Sequence, residues 1–193
     1  MKLYTINTGY FKLDGGAMFG VVPKSIWNKI NPADENNMCS WALRSMLIED
    51  GDRLILIDNG MGDKQSEKFF SFYYMHGDDS LDKSLSKYGF SRDDITDVFL
   101  THLHFDHAGG IVTNIVNPQL TFPNAVHLIQ KAEWEISENP DLLNTAAYNF
   151  SQNLKLLKDK GKYQLLDGDT EIVPGFTAKL WKGHSHGMQG VRI

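Results

Sequence analysis

Apolar and polar positions alternate with a period of two across residues 3–8, and β-rich runs follow at 41–49 and 53–57. A period of two puts alternate side chains on opposite faces of a strand. The segment Glu49-Asp50-Gly51-Asp52 between the last two runs is an acidic-glycine turn, so they read as a hairpin. Asp14-Gly15-Gly16 marks an earlier turn, and residues 17–22 after it read as an apolar loop. The period then lengthens. Phe69, Phe72 and Tyr73, and next Leu81, Leu85 and Tyr88, fall on helical faces, and Gly89 stands where the second helix would stop. Ser91 caps a short helix with Asp93 and Asp94 in its first turn. The bounded, β-branched run 98–101 reads as a buried strand that leads straight into His102. Strands are expected at 120–122 and 125–130 on either side of Pro123-Asn124, and a helix over 131–137 stops before Asn139-Pro140. Ala147, Phe150, Leu154 and Leu157 form a second amphipathic stripe, and strands return at 163–166, 171–173 and 176–181. This order predicts α/β layering with mixed sheets, not a regularly doubly wound fold, in a single domain over 1–193.

Composition narrows the classes. Of 193 residues 41% are hydrophobic, enough for a sizeable core. The 19 basic against 24 acidic side chains give a net charge of −5, which argues against a nucleic-acid partner. No polybasic patch, membrane-length apolar stretch or signal-peptide core is present, so no membrane partner and a cytoplasmic location are expected. Cys39 is the single cysteine; it excludes an internal disulfide and reads as a small buried residue.

The chemistry concentrates in Thr101-His102-Leu103-His104-Phe105-Asp106-His107-Ala108-Gly109-Gly110. Imidazole is the commonest metal ligand and a carboxylate suits the same borderline metals. His102 and His104, two apart in extended chain, point to one side and can chelate one ion. Asp106 and His107 follow a turn and can face a second ion, and Gly109-Gly110 lets the backbone turn away tightly. With 7 histidines in 193 residues, three at set offsets arise by chance at roughly 5 in 100,000 per start position. His184, in Lys182-Gly183-His184-Ser185-His186-Gly187 after an expected strand, completes a three-histidine set. His186 has a weaker claim to join it, and His76 and His127 read as structural.

These residues carry a resemblance. His102-x-His104-x-Asp106-His107 resembles the signature of the metallo-β-lactamase superfamily, and His184 falls at the place of its next histidine motif. Leu56-Ile57-Asp58-Asn59-Gly60 resembles an earlier motif of that superfamily, which implies that Asp58 supports the histidine loop. Residues 14–24, Pro32-Ala33-Asp34-Glu35, Leu43-Arg44, Phe122-Pro123-Asn124-Ala125 and Glu133-Trp134 resemble a bacterial subgroup related to quorum-quenching N-acyl homoserine lactonases and methyl-parathion-type hydrolases. The resemblance implies an αββα sandwich and a hydrolase. Relatives continue through further strands, which supply an Asp bridging two metals and a later His; the chain is therefore expected to be a fragment whose C-terminal strands and helix are missing. Met188 stands where many relatives have a second His. A homodimer is a further expectation from the subgroup.

The expected reaction is metal-assisted hydrolysis of a small-molecule ester or lactone. Zinc, one or two ions, is the first choice, with manganese or iron(II) compatible. Asp106 binds metal and orients the nucleophile or carries its proton. Met18 and Phe19 are expected to line the substrate pocket. The aromatic run Phe69, Phe70, Phe72, Tyr73 and Tyr74 reads first as helix packing, and the lysines from Lys155 to Lys162 as a solvated helix face. The rival readings are a phosphoesterase or organophosphate hydrolase of the same superfamily, and an inactive metal-binding fragment or pseudoenzyme.

Overall fold

A computed structural model describes residues 1–142, 144–148 and 150–193, with the side chains of 150–152 outside that description. The alternating N-terminal residues form strand β1 (Lys2–Asp14), antiparallel to β2 (Met38–Asp50). β2 turns through Gly51, at φ 59°, into β3 (Arg53–Ile57), with Asp50 opposite Arg53. β3, β4 (Asp97–Phe99), β5 (Val126–Gln130) and β6 (Tyr163–Leu166) run parallel, and the six strands lie in chain order. A second, antiparallel sheet holds β7 (Thr170–Val173), β8 (Phe176–Leu180) and β9 (Gln189–Arg192). The helices are α1 (Gly15–Phe19), α2 (Lys24–Trp27), α3 (Glu67–Ser71), α4 (Leu81–Ser86), α5 (Phe105–Ala108), α6 (Lys131–Glu138) and α7 (Phe150–Lys160).

Two cores follow from the strand period. Leu54 and Leu56 of β3 point to one face and join Leu47, Val98 and Ile129 beneath Leu85, Trp134, Leu154 and Leu157 of the helices. Ile55 and Ile57 point to the other face, where Ile48, Phe99 and Leu128 meet Phe176 and Ala178 of the second sheet. Burial on both faces explains why β3 reads as a continuous apolar run. The layers are helices, six-stranded sheet, then three-stranded sheet. Among the described residues no helix is long and apolar enough to cross a membrane.

Several local expectations need correction. Residues 17–22 are not a plain loop: α1 occupies 15–19, and the Asp14 carboxylate accepts the Ala17 N–H at 3.0 Å as its cap. Gly15 is required there, because a Cβ would lie 2.4 Å from the Trp27 ring. Residues 120–122 are not a strand. Leu120 makes a single bridge to Val112, and the run is bounded by Pro118 and by Pro123, which has no N–H for a ladder; Phe122 is buried as a plug instead. The strand before the histidines ends at Phe99, because Asp58 takes the Thr101 N–H and hydroxyl. Ala147 precedes α7, its carbonyl accepting the Phe105 N–H at 2.9 Å, and the Phe150 side chain of the predicted stripe lies outside the described residues. Lys155 lies on the exposed face of α7, paired with Asp159 at 2.6 Å.

Candidate metal centre

Open α/β sheets place sites beyond the carboxyl ends of their parallel strands; the His102–His107 segment leaves such an end, that of β4, while the His184 segment comes from the loop between β8 and β9 of the antiparallel sheet. β3 ends in Asp58, which sits at φ 57°, a left-handed conformation that Asp tolerates better than most residues. Its Oδ1 accepts the Thr101 N–H at 2.8 Å, while Oδ2 accepts the Thr101 hydroxyl at 2.8 Å and His107 Nδ1–H at 2.8 Å. The Asn59 N–H donates to the His107 carbonyl at 3.0 Å, and the Gly110 N–H to the Gly60 carbonyl at 3.0 Å. The two glycines do more than turn the chain. A Cβ on Gly109 would lie 2.3 Å from the Met61 carbonyl oxygen, and one on Gly110 would lie 2.4 Å from that of Asn59. Only glycine lets the two loops lie this close.

His102 is buried, 4% exposed; its Nδ1 lies 3.1 Å from the Thr101 hydroxyl and its Nε2 has no hydrogen-bond partner among the described residues. His104 follows in extended backbone at φ −65°, ψ 152° just before α5. His184 arrives from the loop after β8, with its Nε2 3.1 Å from His104 Nδ1. The ring centroids of His102 lie 4.6 Å from His104 and 4.9 Å from His184. One nitrogen from each of the three falls within 4.8 Å of the others, the only such group of potential ligands among the described residues. Burial first, and then the neighbouring histidines, push the His102 pKa down to about 2. Burial and His184 likewise lower that of His104, the effect of Asp106 and Glu133 being opposite. Both rings are thus held neutral, the form that donates a lone pair to a cation.

His107 and Asp106 stand beside this group. The His107 ring centroid is 4.0 Å from that of His102, and its Nε2 lies 3.5 Å from Asp106 Oδ2. Burial alone would lower the pKa of His107, but the Asp58 hydrogen bond and charge, helped by Asp106, leave it raised. His186 is exposed and outside the three-histidine group. His76 bonds Ser40 Oγ at 2.7 Å and the Tyr74 carbonyl at 3.0 Å, and His127, on β5 opposite Tyr163 of β6, is fully buried with Nδ1 3.1 Å from the Lys162 carbonyl.

A cavity of about 190 Å³ opens on Asp106 and His107, lined also by Met18, Trp41, Arg44 and Ser45. Met18 therefore reaches the cavity, whereas Phe19 does not line it: its ring stacks on Trp27 at 4.8 Å and packs against Trp41. A wider cleft of about 960 Å³, lined by Arg92, Lys160 and Lys162 among others, holds none of the histidine-loop residues, so size alone does not locate this chemistry. Phe69 and Tyr73 pack on Phe105 within the histidine loop, while Phe72 and Tyr74 are exposed. Three further residues hold the site together, and the sequence reading assigned none of them a role in it. Glu133 and Tyr148 lie under His104, and Gln189 donates to the Leu100 and Leu128 carbonyls at 2.8 and 3.1 Å while its backbone N–H donates to that of Thr101. Glu133 belongs to the Glu133-Trp134 pair that resembles the subgroup, but that resemblance gave it no role in the site.

Residues 44–113 match the metallo-beta-lactamase superfamily, and a probable metal-dependent hydrolase from Staphylococcus aureus superposes on 98% of this chain and 67% of its own, at 32% identity and a TM-score of 0.88. The chain belongs to the metallo-beta-lactamase superfamily. It is a hydrolase of that metal-dependent family. The N-acyl homoserine lactonase of Bacillus cereus is 27% identical over 202 residues, which cover all of this chain and 70% of that protein. A dizinc quorum-quenching lactonase, solved in complex with the product N-hexanoyl-L-homoserine, covers 98% of this chain and 66% of its own at 26% identity and a TM-score of 0.71.

Proposed function

We propose that this site hydrolyses the ester bond of a small lactone of the N-acyl homoserine type with zinc as its metal. His102, His104 and His184 hold one ion; Asp106 and His107 serve a second. The observation that carries the reading is the buried Nε2 of His102, without a partner among the described residues, beside the His104–His184 pair. A buried lone pair without a donor is costly. Two facing imidazole nitrogens at 3.1 Å also need a proton or a cation between them. Neutral nitrogen donors in this number suit zinc.

When bound, the metal supplies Lewis acidity and a water ionised near neutral pH. The remaining work falls to this chain's own residues. Asp58 fixes the proton of His107 on Nδ1, which leaves Nε2 free to face the site. The Asp106 carboxylate, part-exposed and next to that nitrogen, orients the attacking water and accepts its proton. Phe11, Leu43, Trp41 and Met18 offer an apolar wall to an acyl chain where the cavity meets Asp106. The lactone class is supported by the activity named for the Bacillus cereus relative and by the product held in the dizinc neighbour.

The test is turnover by zinc-loaded protein of N-hexanoyl homoserine lactone, followed by proton release, beside a phosphotriester and a phosphodiester. The expected outcome is lactone opening that falls at least a hundredfold in Asp106→Asn with the fold intact. Cleavage of either phosphoester without lactone opening would replace this reading with the phosphoesterase one.

A further inference from the structure

We infer that Glu133 is the positioning residue of this centre, one buried carboxylate that sets the spacing between His104 and His184. The inference rests on the proposed three-histidine metal site and deepens it.

Glu133 lies in the first turn of α6, and an acidic side chain there would ordinarily stay in solvent and favour the helix N-terminus. This one is 1% exposed, and its oxygens bond Leu103, Tyr148 and Gly187, all outside its own helix. Its Oε1 accepts the Leu103 N–H at 3.0 Å and the Tyr148 hydroxyl at 2.9 Å, and its Oε2 accepts the Gly187 N–H at 3.3 Å. Leu103 stands between His102 and His104. Gly187 closes the loop that carries His184. These segments come from different sheets, the first leaving β4 and the second joining β8 to β9. The carboxylate therefore ties together the two halves of the donor set.

Two independent features show that the contact is built. A Cβ on Gly187 would lie 2.2 Å from the Glu133 nitrogen and 2.6 Å from its Cα, so the loop approaches α6 as only glycine allows. Tyr148 uses its hydroxyl on Glu133 and sets its ring edge-on to His104, with centroids 4.8 Å apart at 74°. A buried carboxylate is tolerated only when its oxygens are saturated with donors, and here the donors are the backbone of both histidine loops.

The experiment compares the parent with Glu133→Gln and Gly187→Ala. A glutamine keeps one oxygen for Leu103 and Tyr148 but turns an amide NH2 against the Gly187 N–H, so the His184 loop should be released first. Hydrogen exchange of metal-free protein should quicken at least tenfold in residues 183–189, with β1 and β2 unaltered. Zinc affinity, read by competition with a chromophoric chelator, should fall about 10–100-fold. Gly187→Ala should lose zinc to the same degree from the other side of the contact, which keeps the inference testable if Glu133→Gln fails to fold. A folded Glu133→Gln that binds zinc within twofold of the parent and exchanges at parental rates in 183–189 would overturn it. A parent that takes up no zinc would sink the metal reading instead, and the exchange comparison would still decide whether Glu133 holds the His184 loop.

Discussion

Asp58→Asn isolates one function of the loop before the histidines. The Asp58 side chain, 14% exposed, accepts from Thr101 N–H, Thr101 Oγ1–H and His107 Nδ1–H, each at 2.8 Å. Asparagine tolerates the left-handed backbone at φ 57° as well as aspartate does, so no backbone strain enters. Its one oxygen can keep the Thr101 N–H, and its amide can donate to the Thr101 hydroxyl. The same amide then faces His107 Nδ1, which must give up its proton and move it to Nε2, the nitrogen directed at the site. Bonds to a charged acceptor contribute about 1.5–3 kcal/mol each and neutral ones about 1 kcal/mol. Exchanging all three of the former for neutral bonds destabilises the metal-free protein by about 1.5–6 kcal/mol. Urea denaturation at pH 7 measures that loss. Nitrogen-15 spectra of the histidine rings should show the His107 tautomer inverted, and zinc affinity should fall about 10–100-fold. A variant within about 0.5 kcal/mol of the parent, the usual spread for surface substitutions, with the tautomer unchanged, would refute the reasoning.

Other perturbations have outcomes fixed by the same geometry. Gly110→Ala puts a methyl 2.4 Å from the Asn59 carbonyl oxygen; the forced separation of the two loops should cost about 2–4 kcal/mol in urea melts, at or above the range for overpacking. His127 is held down to about 4 by burial, whereas an unfolded imidazole titrates near ~6.5. The unfolded chain therefore binds the extra proton between those values, and stability is lost as pH falls through that window. His127→Leu should remove this loss, gaining on the parent by about 2 kcal/mol between pH 7 and 4.5 at ~1.4 kcal/mol per unit. The Lys64 amine, whose Nζ donates to the Gly109 carbonyl, is lowered to about 8 by burial against the opposing pull of Asp63. Here too the unfolded state binds more protons, so parental stability should rise between pH 8 and 10, and Lys64→Met should show no such rise in thermal melts.

Much of this was legible in the chain because short-range rules carried it. The 49–52 turn set the β2–β3 hairpin register, and Ser91 begins the short helix 92–94 as expected, in a capping box in which the Ser91 N–H donates to Asp94 at 2.7 Å. The histidine spacing located the loop that brings His102 and His104 together, and the loop histidine after β8 does meet them. What escaped was set by long-range packing. Residues 120–122 have strand composition, but flanking prolines and burial of Phe122 make them a plug. Phe19 was expected in the pocket because its loop resembles that of the lactonase-related subgroup, and the stack on Trp27 is invisible to spacing. Glu133 and Tyr148 are separated by 15 positions; nothing local says that they share a hydrogen bond beneath His104.

The central claim is that three imidazoles from two loops hold a metal ion, and zinc-soaked crystals measured on both sides of the zinc absorption edge test it most directly. The account predicts an anomalous peak bounded by His102 Nε2, His104 and His184, at about 2.0–2.1 Å from each coordinating nitrogen, and its disappearance in His184→Ala. No peak among these rings at saturating zinc, or one elsewhere on the chain, would contradict it.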